Sequence, residues 1–218
     1  LQFPFDIAAD LDTPVSAFLK LQALRPHFLL ESVVGGNQVG RYSFIGFGDA
    51  LHVRLDEAGW WVGGQRHDVP GSGPELLDAL RGALARAPRP RAEGVPFQGG
   101  LVGVSGYDVV RRFEDIPSVA SRKGGAELSY VAPSSMLVFD HTTRRCAVLH
   151  DGSDAERKAI RRDVVHALRN TIPARENPFG STGFRSGGFS SPRASMSKEQ
   201  YESGVTRIRD YIREGDVY

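Results

Sequence analysis

Cysteine is almost absent: Cys146 is the only one in 218 residues. No disulfide can form within the chain, and one sulfur cannot build a thiolate zinc site. A reducing, cytoplasmic setting is therefore the default expectation. An excess of charge of either sign is missing too. Lys and Arg number 27 against 26 Asp and Glu, a formal net charge of +1. That balance removes the bulk electrostatic case for a nucleic-acid or anionic-membrane binder. No apolar run approaches the roughly 18–20 residues that span a bilayer. The opening LQFPFDIAAD has neither the basic start nor the continuous apolar stretch of a signal peptide. Catalytic signatures are equally scarce, with no G-x-x-x-x-G-K-[ST], no H-E-x-x-H and no Cys pair. None of the six histidines stands four residues from another, which leaves a helical metal pair without support. Lysine itself is rare, 4 against 23 Arg, a compositional bias rather than a functional signal.

What is present is ordinary globular material, 40% apolar and 24% charged. Thr13-Pro14 opens a short helix, with Thr as N-cap and Pro at its first position. Phe28 to Val34 is an apolar run of strand length. Gly35-Gly36-Asn37 has turn chemistry, and Arg41 to Gly46 reads as a returning strand. Leu51, Val53 and Leu55 alternate with polar residues, which predicts a further hairpin into Trp60-Trp61-Val62. Pro74 to Ala87 carries leucines at helical spacing. Gly99 to Val104 reads as a glycine-rich strand, where glycine signals close approach of another backbone or a bulge. A short helix is expected from Ser105 to Glu114.

Ser135–Asp140 and Arg145–His150 form a predicted hairpin. Pairing Asp140 with Arg145 sets His150 opposite Ser135. Ser153 with Glu156 is a capping box opening a helix to about Asn170, and Ser197 with Gln200 is another. Tyr201, Val205, Ile208 and Ile212 then lay an apolar stripe along one helix face. Between these helices, residues 171–195 hold 4 Gly, 3 Pro and 5 Ser, the composition of a linker or mobile loop. The chain begins with Leu and stops at Gly215-Asp216-Val217-Tyr218, a helix stop followed by apparent strand residues, so a fragment is expected. Short strands in hairpins with helices between them predict an α+β fold, mostly antiparallel, with peripheral helices.

One segment has the makings of a ligand site. Leu30, Glu31 and Ser32 set a carboxylate and a hydroxyl at the end of an apolar strand. Arg41, Tyr42 and Ser43 bring a guanidinium and more hydroxyls on the returning strand. A zwitterionic amino acid needs a carboxylate for its ammonium, donors for its carboxylate and an apolar wall for its side chain. A simple Glu–Arg cross-strand pair explains the same pattern equally well.

Longer segments carry a resemblance. TPVSAFLKL with FLLESVVGGNQVGRYSFIG, then FQGGLVGVSGYDVVRRFED, then SKEQYESGVTRIRDYIREGDVY, resemble in order and spacing the N-terminal region of the anthranilate synthase component I family of chorismate-utilising enzymes. The pattern departs at Val104-Ser105, where the family carries a Tyr and a small residue, and residues 171–195 match no family pattern. The sister family, aminodeoxychorismate synthase component I, shares this layout.

The resemblance implies an incomplete portion of a larger two-layer enzyme. Residues 1–170 would be a regulatory region, 171–195 a linker, and 196–218 the first helix of the chorismate-utilising domain. It implies conversion of chorismate to anthranilate and pyruvate, with ammonia from a glutamine amidotransferase partner and magnesium at the active site. It also implies feedback inhibition by L-tryptophan at Leu30, Glu31 and Ser32, with Arg41, Tyr42 and Ser43 beside them. The catalytic residues and magnesium ligands are expected outside this chain. A stand-alone amino-acid-binding module is the reading from a different class.

Overall fold

The computed structural model describes residues 5–31, 40–90, 92, 94–116, 125–172 and 194–216. The fold is α+β, as the strand and helix patterns predict. Among the described residues, every strand pairing is antiparallel. In chain order the elements are β1 (Ile7–Ala8), α1 (Pro14–Lys20), a 3-10 turn (Leu21–Leu24), β2 (Pro26–Glu31), β3 (Tyr42–Asp56), β4 (Gly59–Val62) and β5 (Gln65–His67). Then follow α2 (Gly73–Ala85), β6 (Val102–Ser105), a 3-10 turn (Tyr107–Arg112), β7 (Leu128–Asp140), β8 (Arg145–His150), α3 (Asp154–Arg169) and α4 (Lys198–Glu214). The chain divides into two compact units, Leu1–Pro173 and Ala174–Tyr218.

Local chemistry sets most element ends. Thr13, Ser153 and Ser197 each accept a hydrogen bond from the backbone N–H three residues on, and that third residue returns a side-chain bond. Gly215 closes α4 in the left-handed region, at φ 86. Asp56 Oδ1 accepts from the amides of Ala58 and Gly59, which makes the turn between β3 and β4. The expected turn at Gly35–Asn37 and most of the 171–195 segment lie outside the described residues.

The sheet follows the order β1-β8-β7-β3-β4-β5, with β2 also on β3 and β6 also on β7. Its spine is the pair of long strands β3 and β7. Here the structure corrects the sequence reading. Arg41–Gly46 and the Leu51–Leu55 alternation are not separate strands but one, β3, running through Gly46-Phe47-Gly48. The cause is a bulge. Phe47 pairs with Ser135 and Ala50 with Pro133, so β3 spends one extra residue. Gly48 takes φ 86 there, and Pro133, which has no N–H to give the ladder, sits at the irregularity.

The extra residue reverses which face the odd positions of β3 occupy. Before the bulge, Ile45 and Phe47 join Leu137, Phe139, Cys146 and Val148 under α1 and α3, against Ala17, Leu21 and Val164. After it, Val53 and Leu55 pack with Trp60, Val62 and Leu128 against Leu76 and Ala83 of α2. The even residues of β7 hold one face throughout. Met136 and Val138 lie there with Ala147 and Leu149, against Ala92, Val95 and Phe97. Cys146 is fully buried, and burial pushes its thiol well above the ordinary range, as suits a small apolar filler.

Other boundaries move less. β2 begins at Pro26 rather than Phe28, α2 ends at Ala85, and β6 begins at Val102 instead of Gly99. The short helix after Ser105 is a 3-10 turn. In the second unit, α4 presents Tyr201, Val205, Ile208 and Ile212 as exposed residues.

Gly103 confirms the close approach expected of a strand glycine: a Cβ there would overlap the Ser129 carbonyl of β7. Gly82, inside α2, has nothing within 4 Å of the same position. Gly103→Ala should therefore cost about 2–3 kcal/mol, while Gly82→Ala should add about 0.5–1 kcal/mol. Denaturant melts of the two variants check the contrast, and equal effects would contradict it.

Candidate functional site

β2 and β3 lie side by side with Leu30 opposite Phe44 and Glu31 opposite Ser43. The strand end that the sequence singles out is thus built from the last residues of β2 and the first of β3. Leu30 is 39% exposed and Glu31 is exposed. Ser32 lies outside the described residues. Tyr42 is half-buried, stacked on Phe5 at 6.3 Å and tilted against Phe44 at 6.3 Å. Ser43 is fully buried.

Arg41 does not face Glu31. Its Nε and Nη2 donate to the two carboxylate oxygens of Asp140, at 3.2 and 3.0 Å, and its guanidinium carbon stands 4.8 Å from the centre of the Tyr42 ring. The simple Glu–Arg cross-strand pair is therefore not what forms. Asp140 is 2% exposed and ends β7. Burial by itself would raise its carboxyl. The hydrogen bond from Arg41, backbone N–H groups of Thr142 and Thr143, and the Arg41 charge outweigh that, and hold it below the usual carboxylate value. The same partnership raises Arg41.

The hydroxyl of Ser43 is 2.8 Å from Nε2 of His141. His141 also donates its backbone N–H to the Arg41 carbonyl at 2.8 Å, and its ring stacks on Phe139 at 6.3 Å. The turn between β7 and β8 therefore grips the start of β3 at three points. Sequence reading treats Asp140 and His141 only as the edge of a hairpin turn. Their local signal is an Asp two residues before the amide it caps, at Thr142. Nothing local points to Arg41 and Ser43, which lie 99 and 98 residues away from them.

Chemically, the strand end offers an exposed carboxylate, a half-exposed leucine and an arginine whose charge is already matched. Its one described hydroxyl–imidazole pair, Ser43 with His141, has a serine that is fully buried and so out of reach of a substrate. The expected hairpin register holds: His150 lies opposite Ser135, and its Nδ1 is 3.0 Å from that hydroxyl. Among the described residues, no group of three or more His, Cys, Asp or Glu could hold a metal ion. A cleft of about 680 Å³ lies elsewhere, between residues 6–12, Lys20 and α3, and none of the candidate residues lines it. Four of its charges are paired, Lys20 with Asp12 at 2.8 Å and Arg161 with Asp6 at 2.7 Å.

Comparison with known proteins decides the family. A model described as chorismate binding enzyme matches residues 26–218. The chain belongs to the chorismate-binding enzyme family. It is 36% identical to anthranilate synthase component 1 of Thermus thermophilus over 213 residues, which covers 96% of this chain and 44% of that protein. It is 34% identical to the protein of the same name from Mycolicibacterium smegmatis over 226 residues, 97% of this chain and 42% of that one. The fold resembles the crystal structure of anthranilate synthase component I from Streptococcus pneumoniae, with a TM-score of 0.57 and 20% identity, covering 99% of this chain and 47% of that chain. The chain thus spans less than half the length of the relatives it matches. The family match runs across the 171–195 segment, covering both the sheet unit and α4.

Asp140 gives this site a stability signature. A depressed carboxyl contributes stability that is fully present above its unfolded value of about 3.9 and is lost as pH falls through the lower folded value. Asp140→Asn should lower stability at pH 7 by about 1–2 kcal/mol and flatten the wild-type loss below pH ~4. Denaturant unfolding at pH 7 and at pH 3 measures both, and an unchanged acid profile would contradict the assignment.

Proposed function

We propose that this chain is the N-terminal, effector-sensing part of an anthranilate synthase component I. As a whole, that enzyme would convert chorismate and ammonia to anthranilate, pyruvate and water. The single observation that carries the reading is the family match over residues 26–218. The relatives named anthranilate synthase component 1, which pair with 95–98% of this chain, support the specific product. Ammonia would come from a glutamine amidotransferase partner, the complement that the word component suggests in those names. Magnesium and the catalytic groups are proposed to lie in the remainder of the polypeptide, and no ligand is assigned here.

L-Tryptophan is the proposed effector, at Leu30, Glu31 and Ser32, with Arg41, Tyr42 and Ser43 behind them. The exposed Glu31 carboxylate suits an ammonium, and Leu30 offers an apolar contact for the indole. Arg41 and Ser43 are engaged by Asp140 and His141, so they act in this reading as the frame of the site. The ligand's carboxylate would then find its donors among groups outside the described residues. Feedback control requires that tryptophan bind one state of the enzyme better than another, with a coupling of roughly 1–3 kcal/mol. Wedging between this sheet and the rest of the enzyme, so that the active site stays open, would meet that requirement.

In the full-length protein, Ser32→Phe should obstruct the proposed effector site and raise the tryptophan inhibition constant at least tenfold, with uninhibited turnover largely intact. Inhibition that is unchanged in this variant would reject the site. Product analysis with chorismate and ammonia settles the reaction. Anthranilate is expected, and aminodeoxychorismate in its place would move the chain to the sister family.

A further inference from the structure

The turn between β7 and β8 makes contacts that a hairpin does not need. A tight connection requires only its own backbone and a residue that tolerates the bend, a role Arg144 fills at φ 53. Yet Asp140 and His141 together hold three groups, two on Arg41 just before β3 and one on Ser43 within it. Asp140 takes the Arg41 guanidinium in two hydrogen bonds, the His141 amide takes the Arg41 carbonyl, and the His141 ring takes the Ser43 hydroxyl. The ring is itself oriented by stacking on Phe139, which is buried in the core under α1 and α3. Ser43 is fully buried, so losing this partner would strand a polar group away from water. Directly across the ladder from Ser43 stands Glu31.

We propose that His141 is a positioning residue for the effector response, holding Ser43 and through it the Glu31 end of β2 where the ligand's ammonium is read. The proposal rests on the tryptophan-sensing reading above and deepens it. His141 touches no ligand in this account. It sets the place of a strand end whose other neighbour, β2, has no further described strand beyond it. The core supports the ring, and the ring supports the serine, so the Glu31 edge is referenced to the β7–β8 pair.

The test uses the full-length protein, assayed for turnover with and without L-tryptophan. His141→Ala should raise the inhibition constant threefold to tenfold, the worth of one hydrogen bond, with kcat and the KM for chorismate within twofold of wild type. His141→Gln should recover at least half of that loss, because its amide nitrogen reaches as far along the side chain as Nε2. Ser43→Ala should match His141→Ala, and the double variant should be no worse than either alone.

Two results overturn the proposal. One is a parallel fall in turnover and in tryptophan response in both His141 variants, which marks a purely structural residue. The other is unchanged inhibition in His141→Ala while Glu31→Gln raises the constant. If Glu31→Gln itself leaves inhibition intact, the sensing reading fails, and this inference falls with it.

Discussion

Everything in the sheet unit depends on the antiparallel pairing of β3 with β7. The two strands stay in register over twelve residue pairs with one break, and the break is a single extra residue in β3. Because side chains alternate along a strand, that residue exchanges the faces of everything after it. One long strand thereby feeds two helical layers on opposite sides of the sheet. Ile45 and Phe47 serve the α1–α3 core and Val53 and Leu55 the α2 core. A deletion at the bulge would turn the Val53–Leu55 half of the strand outward and leave α2 without a surface to cover.

The candidate site inherits its geometry from that spine. β7 ends at Asp140, directly opposite Tyr42 at the start of β3. The turn that follows is therefore close enough to hold Arg41 and Ser43. Asp140 is buried and Arg41 is largely solvent-facing, so the pair is unequal. The buried partner must be matched, whereas the exposed one gains little from the contact itself. The bonds around Asp140 place β3 more than they stabilise the fold. The outcome is a firm strand edge carrying an exposed carboxylate, next to the region in which the resemblance locates an effector.

What the sequence could reveal followed the range of each interaction. Ser153 and Ser197 lie three residues from their partners and their helices were legible from that spacing, as the first helix was from Thr13-Pro14. The α+β class and the Asp140–Arg145 hairpin register were legible too, because period-two patterning and turn residues are local. β3 was not legible as one strand. The returning strand reads as ending at Gly46, and the bulge through which it continues, Gly48 beside Pro133, is set by pairing with a strand more than eighty residues away. The same holds for Arg41. Its nearest acidic residue in the pattern was Glu31, yet the better partner stands 99 residues on, where no periodicity points. The identity of the candidate site came from motif resemblance; its supporting frame came only from the structure.

Hydrogen–deuterium exchange on the full-length protein, with and without L-tryptophan, tests the central claim most directly. The account places the effector against the β2–β3 strand end, so amides of residues 28–31 and 41–45 should slow on ligand addition, and those of β4 and β5 should not. Protection confined to other segments, with residues 28–31 and 41–45 exchanging as before, would contradict it.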